Sequence, residues 1–430
     1  MSFLVQVLLI SFAAMLIVGI PISAALVLAA ALAMLANPPG PLDLAQIPLQ
    51  LCETTNSFPL LAIPFFILAG SIMSRGGMSA RLIELARALV GRLRGGVAMV
   101  CVVACMLFAA VSGSTAATTA AIGIVLIPAM IQSGFSRGAA AALQATAGSI
   151  GIIIPPSIPF VLLGVIGNIS IGKLFLGGVI PGIAVGFALM IAAFATAAIG
   201  MHPQSSQKTS FRAVLRALGR SALPLMTVVF VMGGIMAGLV TPTEAAIVAV
   251  FWALIVSGLV YRGLSLSDLR LCLADTVKVT AIVVLVIGAT APFAWLLTVE
   301  DLPQQIARAI VSSTHSAVII KLMMLGILLA IGTFLDLTPA MILLVPILMP
   351  IASEMGMEPV HFGVMLILAL GIGQSTPPVG ISLFVACSVG KTRIGEVALP
   401  LLPFLTAMIL VLLAVTFWAP LAMWLPELLM

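Results

Sequence analysis

Residues 3–36 contain no charged side chain, and comparable uncharged apolar runs recur at 58–74, 97–132, 174–199, 279–298 and 397–424. A hydrocarbon layer about 30 Å thick is crossed by a helix of about 20 apolar residues, and these runs have that length. Only 7% of the 430 residues are charged, 18 basic and 13 acidic, whereas soluble domains carry about 25%. So few charges cannot coat a soluble surface of this size. The 62% hydrophobic content suffices for around ten spans at about 20 residues each. A transmembrane barrel needs alternating segments of about 10 residues, and the runs here are unbroken. The chain reads as an all-α polytopic membrane protein.

The formal charge of +5 does not point to nucleic acid, because the basic residues sit in short clusters between apolar runs, the pattern of the positive-inside rule. The five cysteines, Cys52, Cys101, Cys105, Cys272 and Cys387, are scattered and read as small buried hydrophobes. Cys101 and Cys105 share a helix face. The N-terminus lacks the basic start of a secretory signal, and its apolar run is too long for one.

Sliding the chain along itself reveals an internal duplication. At one common offset Pro128 meets Pro350, Gly134 meets Gly356, Gly151 meets Gly373, and Pro155-Pro156 meets Pro377-Pro378. With small adjustments Val18-Gly19-Ile20-Pro21 falls on Leu239-Val240-Thr241-Pro242, and Ala86-Arg87-Ala88 on Ala307-Arg308-Ala309. Apolar helices match one another by chance; Gly, Pro and Pro-Pro in a single register do not. Residues 1–207 form the first repeat and 208–430 the second. Each begins with a Pro-broken apolar stretch (3–36; 221–261) and a short amphipathic piece after Gly40 or Gly263, so that scaffold helices occupy 3–57 and 221–277. A span follows (58–74; 279–298), then a charged amphipathic arm helix (79–94; 301–314). Next comes an apolar segment interrupted by small and polar residues (97–132; 317–352). A span broken by Gly and Pro-Pro (138–167; 361–389) and a plain span (174–199; 397–424) complete each half.

Charge orients this plan. Arg75, Arg81, Arg87, Arg92 and Arg94 oppose a single Glu84, and Lys208, Arg212, Arg216 and Arg220 have no acid among them. Arg137, the 262–278 segment, Lys391 and Arg393 belong with them, on the cytoplasmic side. The remaining connections hold Asp43, Glu53, Glu244, Glu300, Asp301, Glu354, Glu358 and Glu427 against Lys173 and Arg308. This sorting works if the interrupted segments return to the side they entered from and the Pro-broken stretches cross twice. Each half then crosses an odd number of times, and the halves are inverted. An inverted repeat with two re-entrant helical hairpins and two broken helices is the signature of a secondary transporter.

The first interruption, SGSTAATTAAIG at 112–123, puts hydroxyls and glycines mid-segment, where backbone groups must find partners in protein, ions or water. A turn there makes a hairpin whose second arm starts near Thr115–Thr119, with free N–H groups suited to an anion. Ser112, Ser114, Thr115 and Thr118 add hydroxyls. Small residues for close helix packing are the plainer account of the same stretch. The second interruption, GTFLDLTPAM at 332–341, places Thr338-Pro339 at a helix start. It also carries Asp336, the one acid well inside an apolar segment, as a cation ligand or proton carrier. Capping, or pairing with Lys321, is the structural alternative.

The broken spans read GSIGIIIPPSIP (148–159) and GIGQSTPPVGIS (371–382). The Pro-Pro pairs cannot continue helical hydrogen bonding, and the carbonyls they free are hard oxygen ligands for a cation such as sodium. Gln374, Ser375 and Thr376 add side-chain oxygens in the second half, Ser149 and Ser157 in the first. A simple proline kink is the competing account. No Walker A motif is present, and His202, His315 and His361 all fall near predicted span ends. Apart from Lys321, no Lys or Arg lies inside an apolar segment, so an anionic substrate would depend on helix ends, hydroxyls and co-bound cations. No enzymatic role is expected.

Together, SFPLLAIPFFILAG (57–70), Ser112-Gly113-Ser114 with its Thr/Ala run, Ile154-Pro155-Pro156-Ser157, Asp336-Leu337-Thr338-Pro339 and Thr376-Pro377-Pro378-Val379-Gly380 carry a resemblance. Over essentially its whole length the chain resembles the large membrane subunit of tripartite ATP-independent periplasmic (TRAP) transporters. The resemblance implies an elevator-type fold like that of the ion transporter superfamily, importing carboxylate-bearing solutes with sodium across a bacterial or archaeal inner membrane. It implies two partners, a small four-helix membrane subunit, expected on a separate chain, and a soluble extracytoplasmic binding protein. Its cation sites map to Ser112, Ser114, Gly151 and Pro156 in one half and to Asp336, Thr338, Gly373 and Thr376 in the other. Substrate would lie between the hairpin tips, near Ser114, Thr115, Thr118, Ser157, Gln374 and Ser375; no cofactor beyond the coupling ion is expected. A stand-alone divalent anion–sodium symporter, a proton-coupled carrier using Asp336, and a channel or structural subunit are the rival readings.

Overall fold

The computed structural model describes residues 2–36, 43–93, 95–198, 211–313 and 316–430. Gly40, Arg94, the 199–210 connection with His202 and Lys208, and His315 lie outside the described residues. All regular structure among the described residues is helical, and nine of the helical segments are long and apolar enough to cross a membrane.

The first half comprises α1 (Phe3–Val18), α2 (Ile22–Ala36), α3 (Gln46–Thr55), α4 (Ala62–Arg75), α5 (Met78–Val90), α6 (Gly96–Ser112), α7 (Thr115–Gln132), α8 (Arg137–Ser149), α9 (Ile158–Ile166) and α10 (Ile171–Ala198). The second comprises α11 (Phe211–Met236), α12 (Pro242–Leu254), α13 (Leu266–Val299), α14 (Leu302–Ser313), α15 (Ala317–Phe334), α16 (Leu337–Glu354), α17 (Pro359–Gly373), α18 (Ile381–Gly390), α19 (Ile394–Phe417) and α20 (Pro420–Leu429). The punctuation read from sequence falls at these boundaries. Gly19, with φ +86°, ends α1 in the left-handed conformation, and Thr241-Pro242 starts α12 with a capping box to Glu244, as expected of such residues.

Three expectations are corrected. The amphipathic piece after Gly263 and the span 279–298 are one uninterrupted helix, α13, whereas their counterparts in the first half are separated at Asn56–Leu61. The difference is local: Pro59 and a short 3₁₀ turn follow α3, while 266–291 contains no proline. The basic residues from 211 to 220, counted among the connections before the 221–261 stretch, are the start of α11, because Ala, Leu and Arg are good helix formers. The plain span expected at 397–424 stops at Phe417, and Pro420 opens a separate helix, α20, that packs on α10.

Packing divides the helices by role. α8 and α17 are buried along nearly their whole length and are the two central posts. α8 is surrounded by α6, α7, α18 and α19, and α17 by α15, α16, α10 and α19. Around them lies a frame in which α4 packs on α12 and α13, α2 and α3 on α13, and α11 on α5 and α12. A separate apolar cluster, with Phe12, Leu26, Phe293 and Leu297, closes α1 and α2 against the end of α13.

Candidate functional site

Both interruptions are two-residue turns between helices. In the first, α6 ends on Gly113 at φ +61°, whose N–H donates to the Ala109 carbonyl at 3.1 Å. Ser114 is extended and caps α7, accepting from Ala117 N–H at 3.5 Å. Glycine is required at 113 twice over: by its left-handed backbone and by contact, since a Cβ there would lie 2.8 Å from the Pro156 carbonyl oxygen. The tip is docked on the first broken span, with Ile158 N–H donating to the Gly113 carbonyl at 3.2 Å. Pro155–Pro156 and Pro377–Pro378 are both cis.

The sequence-predicted residues of this half converge. Ser112 and Thr118 hydroxyls are 2.6 Å apart, and Gly151 packs so closely on the tip that a Cβ would sit 2.7 Å from the Ser114 carbonyl oxygen. Thr115 is buried and its Oγ1 has no hydrogen-bond partner among the described residues. Ser157 is spent locally: its hydroxyl donates to the Ile152 carbonyl at 2.6 Å and caps α9 through Phe160 N–H.

In the second half Leu335 and Asp336 make the turn, and Asp336, not Thr338, is the cap of α16. Its Oδ1 accepts from Leu337 N–H at 2.7 Å and from Gln374 Nε2 at 2.9 Å. Thr338 and Pro339 lie on the first turn that follows. In the repeat register Asp336 occupies the position of Ser114, so the same cap is a neutral hydroxyl in one hairpin and a carboxylate in the other. Asp336 keeps an exposed face, while Gln374 is buried and its Oε1 has no hydrogen-bond partner among the described residues. No ion pair joins Asp336 to Lys321; the Lys321 ammonium lies 5.9 Å from the Phe417 ring. Gly373 meets the hairpin backbone, where a Cβ would be 2.5 Å from the Gly332 carbonyl carbon. Thr376 hydrogen-bonds the Ile372 carbonyl within its own broken turn.

The two halves clasp one another. α18, beyond the second Pro-Pro, packs on α7, and α9, beyond the first, packs on α16. The joint is polar: Thr119 Oγ1 lies 2.9 Å from Ser382 Oγ, and the Ala145 carbonyl accepts from both Ser382 (2.6 Å) and Ser375 (3.1 Å). Ser375 is therefore fully buried and committed to the joint rather than open to solvent. Gln144 donates to the Thr119 carbonyl at 3.2 Å and accepts from Cys101 Sγ at 3.1 Å; the shared face of Cys101 and Cys105 packs on this amide. Thr119, Ser382 and Gln144 were not among the sequence-predicted site residues. Thr119 sits inside the first interruption and Ser382 at the end of the second broken span, which is their only signal in the sequence.

The helix N-terminus at each tip carries a partial positive charge from unpaired N–H groups. At the second tip the Asp336 carboxylate offsets it and offers oxygen to a cation. At the first, with only a hydroxyl cap, the positive end is retained and suits an anion.

The model of the family described as "Tripartite ATP-independent periplasmic transporter, DctM component" matches residues 9–421. The C4-dicarboxylate TRAP transporter large permease protein DctM of Pseudomonas aeruginosa is 37% identical over 388 residues, covering 90% of this chain and 91% of that protein. The isethionate TRAP transporter permease protein DctMQ of Oleidesulfovibrio alaskensis is 41% identical over 407 residues, covering 94% of this chain; the chain spans 64% of that protein's length. The 2,3-diketo-L-gulonate TRAP transporter large permease protein YiaN of Escherichia coli is 36% identical over 403 residues, covering 93% of each chain. Among solved structures, the YdaH transporter of Alcanivorax borkumensis has the same fold at a TM-score of 0.64 with 14% identity, covering 93% of this chain and 98% of that one. MtrF of Neisseria gonorrhoeae follows at 0.56 with 16% identity, covering 97% and 95%. These relatives are transporter permeases rather than enzymes, and the chain belongs to the DctM family, the large membrane component of TRAP transporters.

Proposed function

We propose that this subunit carries a small organic anion, a carboxylate in the first instance, into the cell in symport with sodium. The observation that carries the proposal is the asymmetry of the two hairpin tips: a carboxylate cap held by Gln374 at one, a neutral Ser114 cap with an unpartnered Thr115 hydroxyl at the other. Sodium prefers hard oxygens, which Asp336, Gln374 Oε1 and the carbonyls around Gly373 and Thr376 supply. Ser112, Ser114, Gly151 and Pro156 form the matching neutral set in the first half. The anion is received between the tips by the N-terminal end of α7. Relatives named for C4-dicarboxylate, isethionate and 2,3-diketo-L-gulonate favour a small anionic solute.

In this reading the hairpins α6–α7 and α15–α16 are re-entrant, the halves are inverted, and α6–α9 with α15–α18 move as an elevator against the frame. The site of action is a bacterial or archaeal inner membrane. The working assembly includes a small four-helix membrane subunit and a soluble periplasmic binding protein that delivers the solute. Reconstitution with both partners and labelled C4-dicarboxylate tests it. Uptake is expected to follow an inward sodium gradient and to be lost in Asp336→Ala while assembly is retained. Wild-type-like sodium-driven uptake in that variant would overturn the cation site. Uptake that ignores sodium but collapses with the proton gradient would instead make Asp336 a proton carrier, the second reading that a lone carboxylate at the tip favours.

A further inference from the structure

An open cavity of about 280 Å³ lies between the arm helix α5 and the start of α11, and no hairpin residue lines it. Its walls are Glu84, Arg87 and Arg216 with Arg220, and its floor is alanine: Ala88, Ala213 and Ala217. Three guanidiniums face one carboxylate there. Glu84 is taken by Arg220 at 3.6 Å, and neither Arg87 nor Arg216 meets a carboxylate among the described residues. The alanine floor leaves the space between these two side chains unfilled. Guanidinium forks match phosphate oxygens in bidentate geometry, so the pocket has the charge and shape for a phosphate group.

The surroundings indicate where that phosphate comes from. Leu89 and Leu93 at the end of the arm helix region and Phe211, Leu215 and Leu218 at the start of α11 are exposed large hydrophobics. On α11 the basic residues 212, 216 and 220 recur every four residues, and the apolar residues 211, 215 and 218 lie on a different face. This is the pattern of a helix at a membrane surface. A soluble phosphorylated molecule gains nothing from this apolar surface; a phospholipid seats its headgroup in the pocket and leaves its acyl chains in the surrounding bilayer.

We propose that Arg87, Arg216 and Arg220 form a binding site for the phosphate of an anionic phospholipid, wedged between arm helix and frame. The site is separate from the transport pathway and does not depend on which solute or ion is carried.

The test is native mass spectrometry of the purified full chain titrated with cardiolipin or phosphatidylglycerol, using phosphatidylcholine and inorganic phosphate as comparison probes. Each guanidinium–phosphate hydrogen bond lost is worth about 1 kcal/mol net, so Arg87→Gln/Arg216→Gln is expected to weaken anionic-lipid binding about thirtyfold. Arg270→Gln/Lys278→Gln removes the same charge from α13 and is expected to change it less than about twofold. All substitutions are at solvent-facing side chains, and a thermal melt of each variant checks folding. Equal loss in both double variants would reduce the effect to general surface charge and overturn the site. So would unchanged binding in the pocket variant. Displacement of the lipid by millimolar inorganic phosphate would overturn the lipid as the source.

Discussion

At Asp336 the hairpin cap and the candidate ion ligand are the same group. Because Gln374 holds the carboxylate at 2.9 Å, Gln374→Ala is expected to raise the sodium concentration for half-maximal uptake about tenfold, the usual cost of losing a residue that orients a ligand. Asp336→Ala is expected to abolish coupling outright; sodium titration of uptake separates the two. Gly113 is the second sensitive residue. Gly113→Ala adds about 1–2 kcal/mol of left-handed strain and a Cβ 2.8 Å from the Pro156 oxygen. A lowered melting temperature in detergent and lost uptake are expected, whereas Gly233→Ala, which meets nothing within 4 Å, serves as the tolerant control. These positions were legible in the sequence because their chemistry is local: an acid in an apolar run and a glycine between two helices. Thr119, Ser382 and Gln144 were not, since a hydroxyl or amide does not encode a partner brought to it by distant chain.

Among the elements, the Pro-broken stretches, the turn between α6 and α7 and both broken spans followed from Gly and Pro, which act on their own backbone, while the turn between α15 and α16 is made by Leu335 and the Asp336 cap. α13 was misread for the opposite reason. Its charges, among them Asp268, Arg270, Asp275 and Lys278, mark contact with water, and water contact does not end a helix that lacks a breaker. The joint between α7, α8 and α18 gives a test at this scale. Ser382→Ala removes one of the two hydroxyls on the Ala145 carbonyl and the partner of Thr119. A loss of about 1 kcal/mol is expected, read as a lower melting temperature without a change in helix content. The arm regions test the inversion: one cysteine introduced at a time, just past α5 (Arg92→Cys) or in α14 (Arg308→Cys), with the exposed Cys52 changed to serine and the four buried cysteines kept, is expected to react with a membrane-impermeant maleimide from opposite faces. Labelling from the same face would refute the inverted repeat.

For the whole molecule, the structure joins segments of the two halves that lie far apart in sequence. Arg75 pairs with Asp275 at 2.9 Å and Arg220 with Glu84, and the Gly263 turn rests on Gly76. At another place Ser57, Asn168, Val240 and Met430 line one cavity of about 460 Å³. Uptake is expected to require both partner proteins, and an assay omitting either one checks this. The unequal lengths of matching helices have a consequence of their own. At 1.5 Å per residue the 34 residues of α13 make a column about 51 Å tall, more than the roughly 30 Å oily layer can hold. The stretch beyond Lys278 alone measures about 31 Å. Matched to the oily layer by length, that stretch is expected to stand upright in a thick bilayer and to tilt in a thin one as a single rigid piece, whereas its counterpart is already divided by the turn at Pro59.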